Sequence, residues 1–237
     1  MEALKFILRG ESAFFKVPEV NSYGYFTYGN IHKPALLGIF GAILGYNGYA
    51  NQSDQKLDFP EYYTRLQNLK ISIVPGREDG YFSRKIQQFN NSVGYASKEA
   101  GGNLIVSEQW LENPQWTIYV CMNHEEAVKL SEMLLNHKAV YVPYLGKNDH
   151  PATIEKVEIV ALNRAEVEGG QVQSICPAGS FEYDLYTMDY KYEEFLPTGL
   201  KESTNHYKMQ KFILTNAEVE TQHVEVYTDE VNHIVFY

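Results

Sequence analysis

Residues 34–45 read Pro34-Ala35-Leu36-Leu37-Gly38-Ile39-Phe40-Gly41-Ala42-Ile43-Leu44-Gly45, without one charged side chain. Pro34 suits the first turn of a helix. The run from Leu36 to Gly45 is apolar nearly all round, and a helix of that kind must be buried. Gly38, Gly41 and Gly45 recur at helical spacing, and each costs roughly 1 kcal/mol against alanine. The spacing predicts that close backbone approach to a sheet offsets that cost. No apolar run reaches the ~18 residues of a membrane span, so the helix needs a protein core around it. The start, Met1-Glu2-Ala3-Leu4-Lys5, lacks the basic-then-apolar order of a secretion signal.

Around this helix the pattern alternates between strand and helix. Residues 3–9 place Leu4, Phe6 and Leu8 against Lys5 and Arg9, the alternation of a strand. Residues 11–27 are rich in aromatics and turn formers and read as a loop. Asp58 with Glu61 resembles a capping box for a short helix to about Leu69. Residues 70–74 form a second strand, ended by Pro75-Gly76. A long polar stretch, 77–102, carries Arg84, Lys85, Gln87, Gln88, Asn90 and Asn91. Residues 81–89 and 103–109 pair as an extended hairpin. Residues 116–122 are a third strand. Asn123 with Glu126 is a second capping box, opening a helix to about Asn136 with the stripe Ala127, Leu130 and Leu134. Residues 140–145 are a fourth strand. Without the hairpin this is the split β-α-β-β-α-β order of ferredoxin-like folds. Residues 153–162 add a strand, 181–203 look irregular, and 207–237 read as two or three strands. The expected organisation is an α+β chain: a ferredoxin-like domain over 1–149, a hairpin at about 77–109, and a β-rich extension over 150–237.

Net charge is -10 over 237 residues, which speaks against nucleic acid. The distribution changes that reading. Residues 1–149 hold 14 basic and 15 acidic side chains, whereas 150–237 hold 6 and 15. The acidity belongs to the extension, and phosphate responds to the local field. Only two cysteines occur, Cys121 and Cys176, in no Cys-x-x-Cys pair, as expected of a reduced cytoplasmic protein without disulfides or zinc. Nineteen tyrosines favour β-structure and also supply stacking surfaces.

Three stretches together resemble a known family. They are residue 10 to 16, Gly10-Glu11-Ser12-Ala13-Phe14-Phe15-Lys16 after the first strand, the helix motif from Lys33 to Gly45, and Tyr141-Val142-Pro143-Tyr144-Leu145-Gly146-Lys147. Their order and spacing are similar to the fifth CRISPR-associated (Cas) protein family, nearest its type I-B form, over roughly residues 1–160. Tyr23 to Tyr28 fit the family's aromatic approach to the helix. The resemblance implies an RRM-like, ferredoxin-like body of the RAMP superfamily with a projecting hairpin thumb. It implies a non-catalytic Cascade subunit that caps the 5′ handle of the CRISPR RNA in antiviral defence. The implied partners are that crRNA, the repeating backbone subunit, the large subunit and, through the complex, target DNA.

Individual residues suit that role. Arg9, Lys16, His32 and Lys33 flank the first strand and the helix N-terminus, where free N–H groups favour phosphate. Phe14 and Phe15 offer rings on which unpaired bases stack, with one expected in the core and one out. Arg84 and Lys85 lie in the hairpin, where they suit an RNA backbone. Gly146 permits close backbone approach, and Lys147 beside it suits a phosphate. Tyr25 and Tyr28 invite the same choice between stacking and the core, with core or subunit packing preferred, and Tyr144 reads as a core residue. For cleavage, a metal-free ribonuclease needs a base and a donor within reach of the reacting oxygens. His124 and His137 read as helix termini, and His150, His206, His223 and His233 are scattered. No catalytic set, metal spacing or P-loop is visible, and no cofactor is expected. Two rival functions stand beside the first: a metal-independent endoribonuclease that processes precursor crRNA, and a scaffold that touches only protein.

Overall fold

The computed structural model describes residues 1–19, 23–55 and 57–237; part of the expected 11–27 loop, residues 20–22, lies outside them. The chain opens with β1 (Glu2–Arg9), whose Leu4, Phe6 and Leu8 are fully buried, and the two-residue β2 (Ser12–Ala13). Helix α1 (Lys33–Leu44) is followed by α2 (Tyr49–Gln55), which the sequence pattern does not announce, and α3 (Glu61–Leu66). Next come β3 (Ile71–Pro75), buried throughout, and the hairpin β4 (Arg84–Asn90) and β5 (Ile105–Glu112). Strand β6 (Gln115–Cys121), α4 (Glu125–Leu135) and β7 (Thr153–Ala161) complete this part. The sheet order is β3-β6-β1-β7, every pair antiparallel. That is the expected β-α-β-β-α-β connectivity, with the hairpin between the second and third strands.

The fourth strand is β7 and not residues 140–145. Pro143 has no N–H to give a ladder. Val140 and Tyr141 instead donate to the Ile43 and Ala42 carbonyls, 3.0 Å each. The segment thereby closes carbonyls that a helix end leaves unpaired. Because β7 belongs to the sheet, the boundary expected at 149–150 runs through one packed unit.

Helix α1 is also less enclosed than its composition suggests. Leu36, Leu37, Phe40 and Ile43 are fully buried, while Ala35, Gly38 and Ala42 form a half-buried stripe on one face. The glycines serve different purposes. A Cβ added at Gly41 would lie 2.5 Å from Tyr62 Cβ, so the close approach there is to α3 and not to a sheet. Gly45 takes φ 81 and caps the helix through its N–H to Gly41 O. Nothing lies within 4 Å of a Cβ at Gly38. Neither expected capping box forms. Pro60 precedes α3 without a side-chain cap, and Asp58 instead accepts from Ser203 Oγ at 3.1 Å. His124, not Asn123, caps α4 by accepting from Glu126 N at 3.2 Å.

The remainder is β-structure: β8 (Asn163–Ala165), β9 (Cys176–Pro177), β10 (Phe181–Tyr183), β11 (Lys191–Leu200), β12 (Tyr207–Thr215), β13 (Val219–Gln222), β14 (Val226–Thr228) and β15 (His233–Ile234). Its small sheets are β11-β12-β9, β10-β13 and β15-β14-β8. Residues 181–203 are therefore not irregular, since they contain the ten-residue β11. Pro197, Gly199 and the inward Glu194 disguise its alternation. The ladder bulges between Pro197 and Gly199, and Glu194 is satisfied by Gly29 N at 3.0 Å and by the Tyr192 hydroxyl. Burial raises the Glu194 carboxyl above its ordinary value.

One core joins the two halves. Tyr192, Leu196, Leu200, Phe212 and Leu214 pack into the same apolar cluster as β1 and α1. Ala3, Val74 and Tyr119, in a separate cluster, meet Leu162 and Ile234. There Lys5 Nζ lies 2.7 Å from Asp229, which also accepts from Tyr119 Oη at 2.8 Å. Burial alone would raise Asp229, but these donors and the Asn232 N–H hold it below the ordinary carboxylate value. Both cysteines are buried and free, and burial pushes the Cys176 thiol up to about 12. Among the described residues no helix is long and apolar enough to cross a membrane.

Candidate nucleic-acid interface

Three distant segments are tied together beside α1. Phe14 N donates to Leu145 O at 3.0 Å, Leu145 N to His150 O at 2.7 Å, and Ala152 N to Pro143 O at 3.1 Å. Gly146 sits at φ 93, and a Cβ there would overlap the Phe14 carbonyl oxygen, so only glycine fits. Tyr25 is fastened to the β5 edge: its N–H donates to Ser107 O and its carbonyl accepts from Gln109 N, both 2.9 Å. These bonds bring the loop after α4, the Phe14–Lys16 segment and the hairpin root around the small-residue stripe of α1.

The result is an open groove of about 940 Å³. Ala35, Gly38 and Ala42 line it together with Phe14, Tyr25, Tyr49, Tyr141, Tyr144 and Lys147. Tyr25, Tyr49, Tyr141 and Tyr144 are 37%, 51%, 59% and 46% exposed. Such rings are suited to stack on unpaired bases. Charge in the groove is sparse, two lysines against one carboxylate. Lys16 Nζ lies 3.8 Å over the Tyr25 ring. Lys147 Nζ lies 3.0 Å from both oxygens of Glu108, which also accepts from Trp110 Nε1 at 2.9 Å. Lys147 further spans the rings of Phe14 and Phe89, at 5.6 and 5.2 Å.

Of the nine sequence candidates, Phe14, Phe15, Lys16, His32 and Lys147 line this groove, and Arg9, Lys33, Arg84 and Lys85 do not. Both phenylalanines are buried, correcting the expected one-in, one-out pair. Phe15 packs edge-on to His32 and Trp116, 5.9 Å each. His32 is buried among Phe15, Tyr28 and Tyr207, and its Nδ1 accepts from Ala35 N at 3.3 Å. Burial pushes its pKa down to about 3. It is a neutral helix cap, which closes the N-terminus proposed for phosphate. Lys33 turns to the Tyr237 carbonyl at 3.2 Å; burial, then Lys70, hold its pKa down at about 8. Arg9 forks onto Glu155 at 2.9 and 3.3 Å. Arg84 faces Gly29 and Glu194, and Lys85 lies 3.9 Å from Glu112.

Tyr49, Tyr141, Tyr144 and Tyr25 are the residues that sequence reasoning passed over or placed in packing. The available signal was the spacing of Tyr141 and Tyr144 around Pro143, which does not suit a buried strand. Among the described residues no group of three or more His, Cys, Asp or Glu side chains has metal-holding geometry. Ser12 Oγ and His150 Nδ1 approach to 2.6 Å, but His150 is fully buried with Trp110 stacked edge-on at 4.5 Å.

The chain matches no protein-family model and no curated protein. Solved structures do share its fold. A CRISPR RNA-guided surveillance complex contains a chain that aligns with 93% of this one over 92% of its own length, at 14% identity and TM-score 0.57. A CRISPR protein from Archaeoglobus fulgidus aligns with 99% of this chain over 98% of its own, at 12% identity and TM-score 0.52. The shared fold is α+β and spans nearly the whole chain, including the acidic C-terminal part.

Proposed function

We propose that this protein is a non-catalytic subunit of a CRISPR RNA-guided surveillance complex, and that its aromatic groove holds the single-stranded 5′ handle of the guide RNA. One observation carries the reading. The three stretches that resemble the family, far apart in sequence, converge on a single open groove: Phe14–Lys16, the α1 stripe and Tyr141–Lys147 all line it. Loss of any of these stretches removes a wall. The fold shared with a chain of a CRISPR surveillance complex supports the same assignment.

The groove is built for bases more than for phosphates. Its four exposed tyrosines outnumber its lysines, and Lys147 already has a carboxylate partner. The handle is therefore held by stacking, with Lys16 at the rim as a phosphate contact. The hairpin divides its labour. At its root, Phe82 and Leu111 belong to the core, whereas Ile86, Val93, Tyr95, Leu104 and Ile105 stand exposed further out. That outer part is free to meet the backbone subunit. Burial of His32 and His150, which withholds both rings from a bound strand, supports the non-catalytic half of the proposal.

The test uses purified full-length protein, alone and with its backbone subunit, and a labelled repeat-derived RNA. The handle should bind, and Tyr25→Ala with Tyr144→Ala should release it while the protein stays folded. Incubation with chelator should leave the RNA intact. Site-specific cut products would instead assign a metal-independent ribonuclease. Binding to the backbone subunit with no handle contact would assign a protein-only scaffold.

A further inference from the structure

The Glu108–Lys147 pair is a poor phosphate site but has the polarity of a base reader. Glu108 is 5% exposed, yet it lines the groove. Its carboxylate is held from behind by Trp110 Nε1 at 2.9 Å and from the groove side by Lys147 at 3.0 Å. A carboxylate has about four acceptor sites and no donor. Its position is locked by the chain around it, because Tyr25 bonds to the β5 backbone on either side of Glu108, through Ser107 O and Gln109 N. Lys147 is fixed less tightly. It sits on a flexible stem beside Gly146, is partly exposed, and has the Phe14 and Phe89 rings to slide over.

The pair therefore offers two adjacent acceptors and one movable donor, in a groove with tyrosine rings. Among the four RNA bases only guanine presents the complement along one edge: the N2 and N1 donors followed by the O6 acceptor. Uracil and adenine would turn an acceptor toward the carboxylate, and cytosine has a single donor beside two acceptors. We infer that Glu108 and Lys147 select a guanine in the bound strand, Glu108 accepting from N1–H and N2–H while Lys147 shifts from the carboxylate to O6. Trp110 keeps its bond to Glu108 in both states, so the carboxylate never loses all its donors. This rests on the reading of the groove as an RNA site and adds to it the identity of one base.

The experiment uses the full-length protein and fluorescein-labelled octauridylates with one guanosine, adenosine or inosine scanned through each position, read by anisotropy. At one position guanosine should tighten binding over adenosine roughly tenfold or more, the range of a good paired base contact. Inosine, which lacks the 2-amino group, should lose part of that gain. Glu108→Gln should bring the guanosine-to-adenosine ratio to about one, whatever its absolute affinity, because an amide offers one acceptor and opposes the other donor. Should that variant fail to fold by circular dichroism, the inosine series on the natural protein decides. If octauridylate binds and Tyr144→Ala weakens it, but every base is within twofold at every position, base selection is wrong and the RNA site stands. If no oligonucleotide binds, the RNA reading itself fails and takes the selection with it.

Discussion

The two sides of helix α1 invite opposite errors. Its N-terminus carries His32 and Lys33 next to Phe15, residue types that suggest an anion site. Folding uses all three internally: a ring cap, a bond to the Tyr237 carbonyl and a core contact. Its flank carries only Ala35, Gly38 and Ala42, which suggest nothing. Yet their small size leaves the floor of a groove walled by exposed tyrosines. A polar group at a helix end is consumed by the helix's own unpaired N–H groups. An opening is made where side chains are missing.

The strongest way to break this contrast is Phe15→Ala. If Phe15 is core, the variant should lose about 3–5 kcal/mol of stability, as large buried rings do, measured by urea unfolding. A stability change near zero, with loss of RNA binding alone, would return Phe15 to the interface.

A second test concerns pH. His32 has a folded pKa of about 3, set by burial, against an ordinary value of 6.5. Its neutral form is the native one, so the unfolded chain binds the extra proton. The stability it contributes is whole above pH 6.5 and falls as pH drops toward 3. The loss should approach about 1.4 kcal/mol per pH unit within that window. His32→Asn, which keeps a capping side chain, should flatten the unfolding profile between pH 6 and 4 by about one proton. An unchanged profile would mean that His32 is open to solvent and available to phosphate.

The groove side should behave in reverse. Tyr144→Ala or Tyr25→Ala should cost about 1–3 kcal/mol of handle affinity for each stacked base. Melting temperature should barely move, because both rings are already exposed. Cooperative unfolding that shifts as far as in Phe15→Ala would show the tyrosines to be packing residues.

The smallest effect separates the lysines. Lys16→Gln should lower the slope of log affinity against log salt by about 0.7, the share of one phosphate of a single strand. Lys33→Gln and Arg9→Gln should leave it unchanged, since both side chains are turned to partners within the protein. Equal slopes for all three variants would erase the distinction between the two sides of α1.

Periodicity made much of the scaffold legible. The alternation of Leu4, Phe6 and Leu8, the glycine-spaced apolar helix, the hairpin and the third strand all stand close to where the residues place them. The elements that were misread have specific causes. Residues 140–145 look like a strand until Pro143 is asked for an N–H. Strand β11 looks irregular because a half-buried Glu194 interrupts its inward face, and its partner, Gly29 N, lies 165 residues away. The charge split between the halves is real as a count, but the acidic half shares the core, and Asp229 is spent on Lys5.

What the sequence alone determined is the set of local preferences: which segments become strands or helices, that α1 must be covered, and that Gly146 allows a backbone to come close. Side-chain partnership was decided only by the tertiary structure. Lys33, Arg9 and His32 look available until segments 146 or more residues distant, or the helix's own N–H groups, claim them. Tyr144 reads as a packing residue until Val140 and Tyr141 are seen bonding the end of α1, which leaves the Tyr141 and Tyr144 rings outside. Hydrophobic periodicity reports burial along one element, whereas hydrogen bonds and ion pairs depend on which elements meet. That information exists only once the chain has closed on itself.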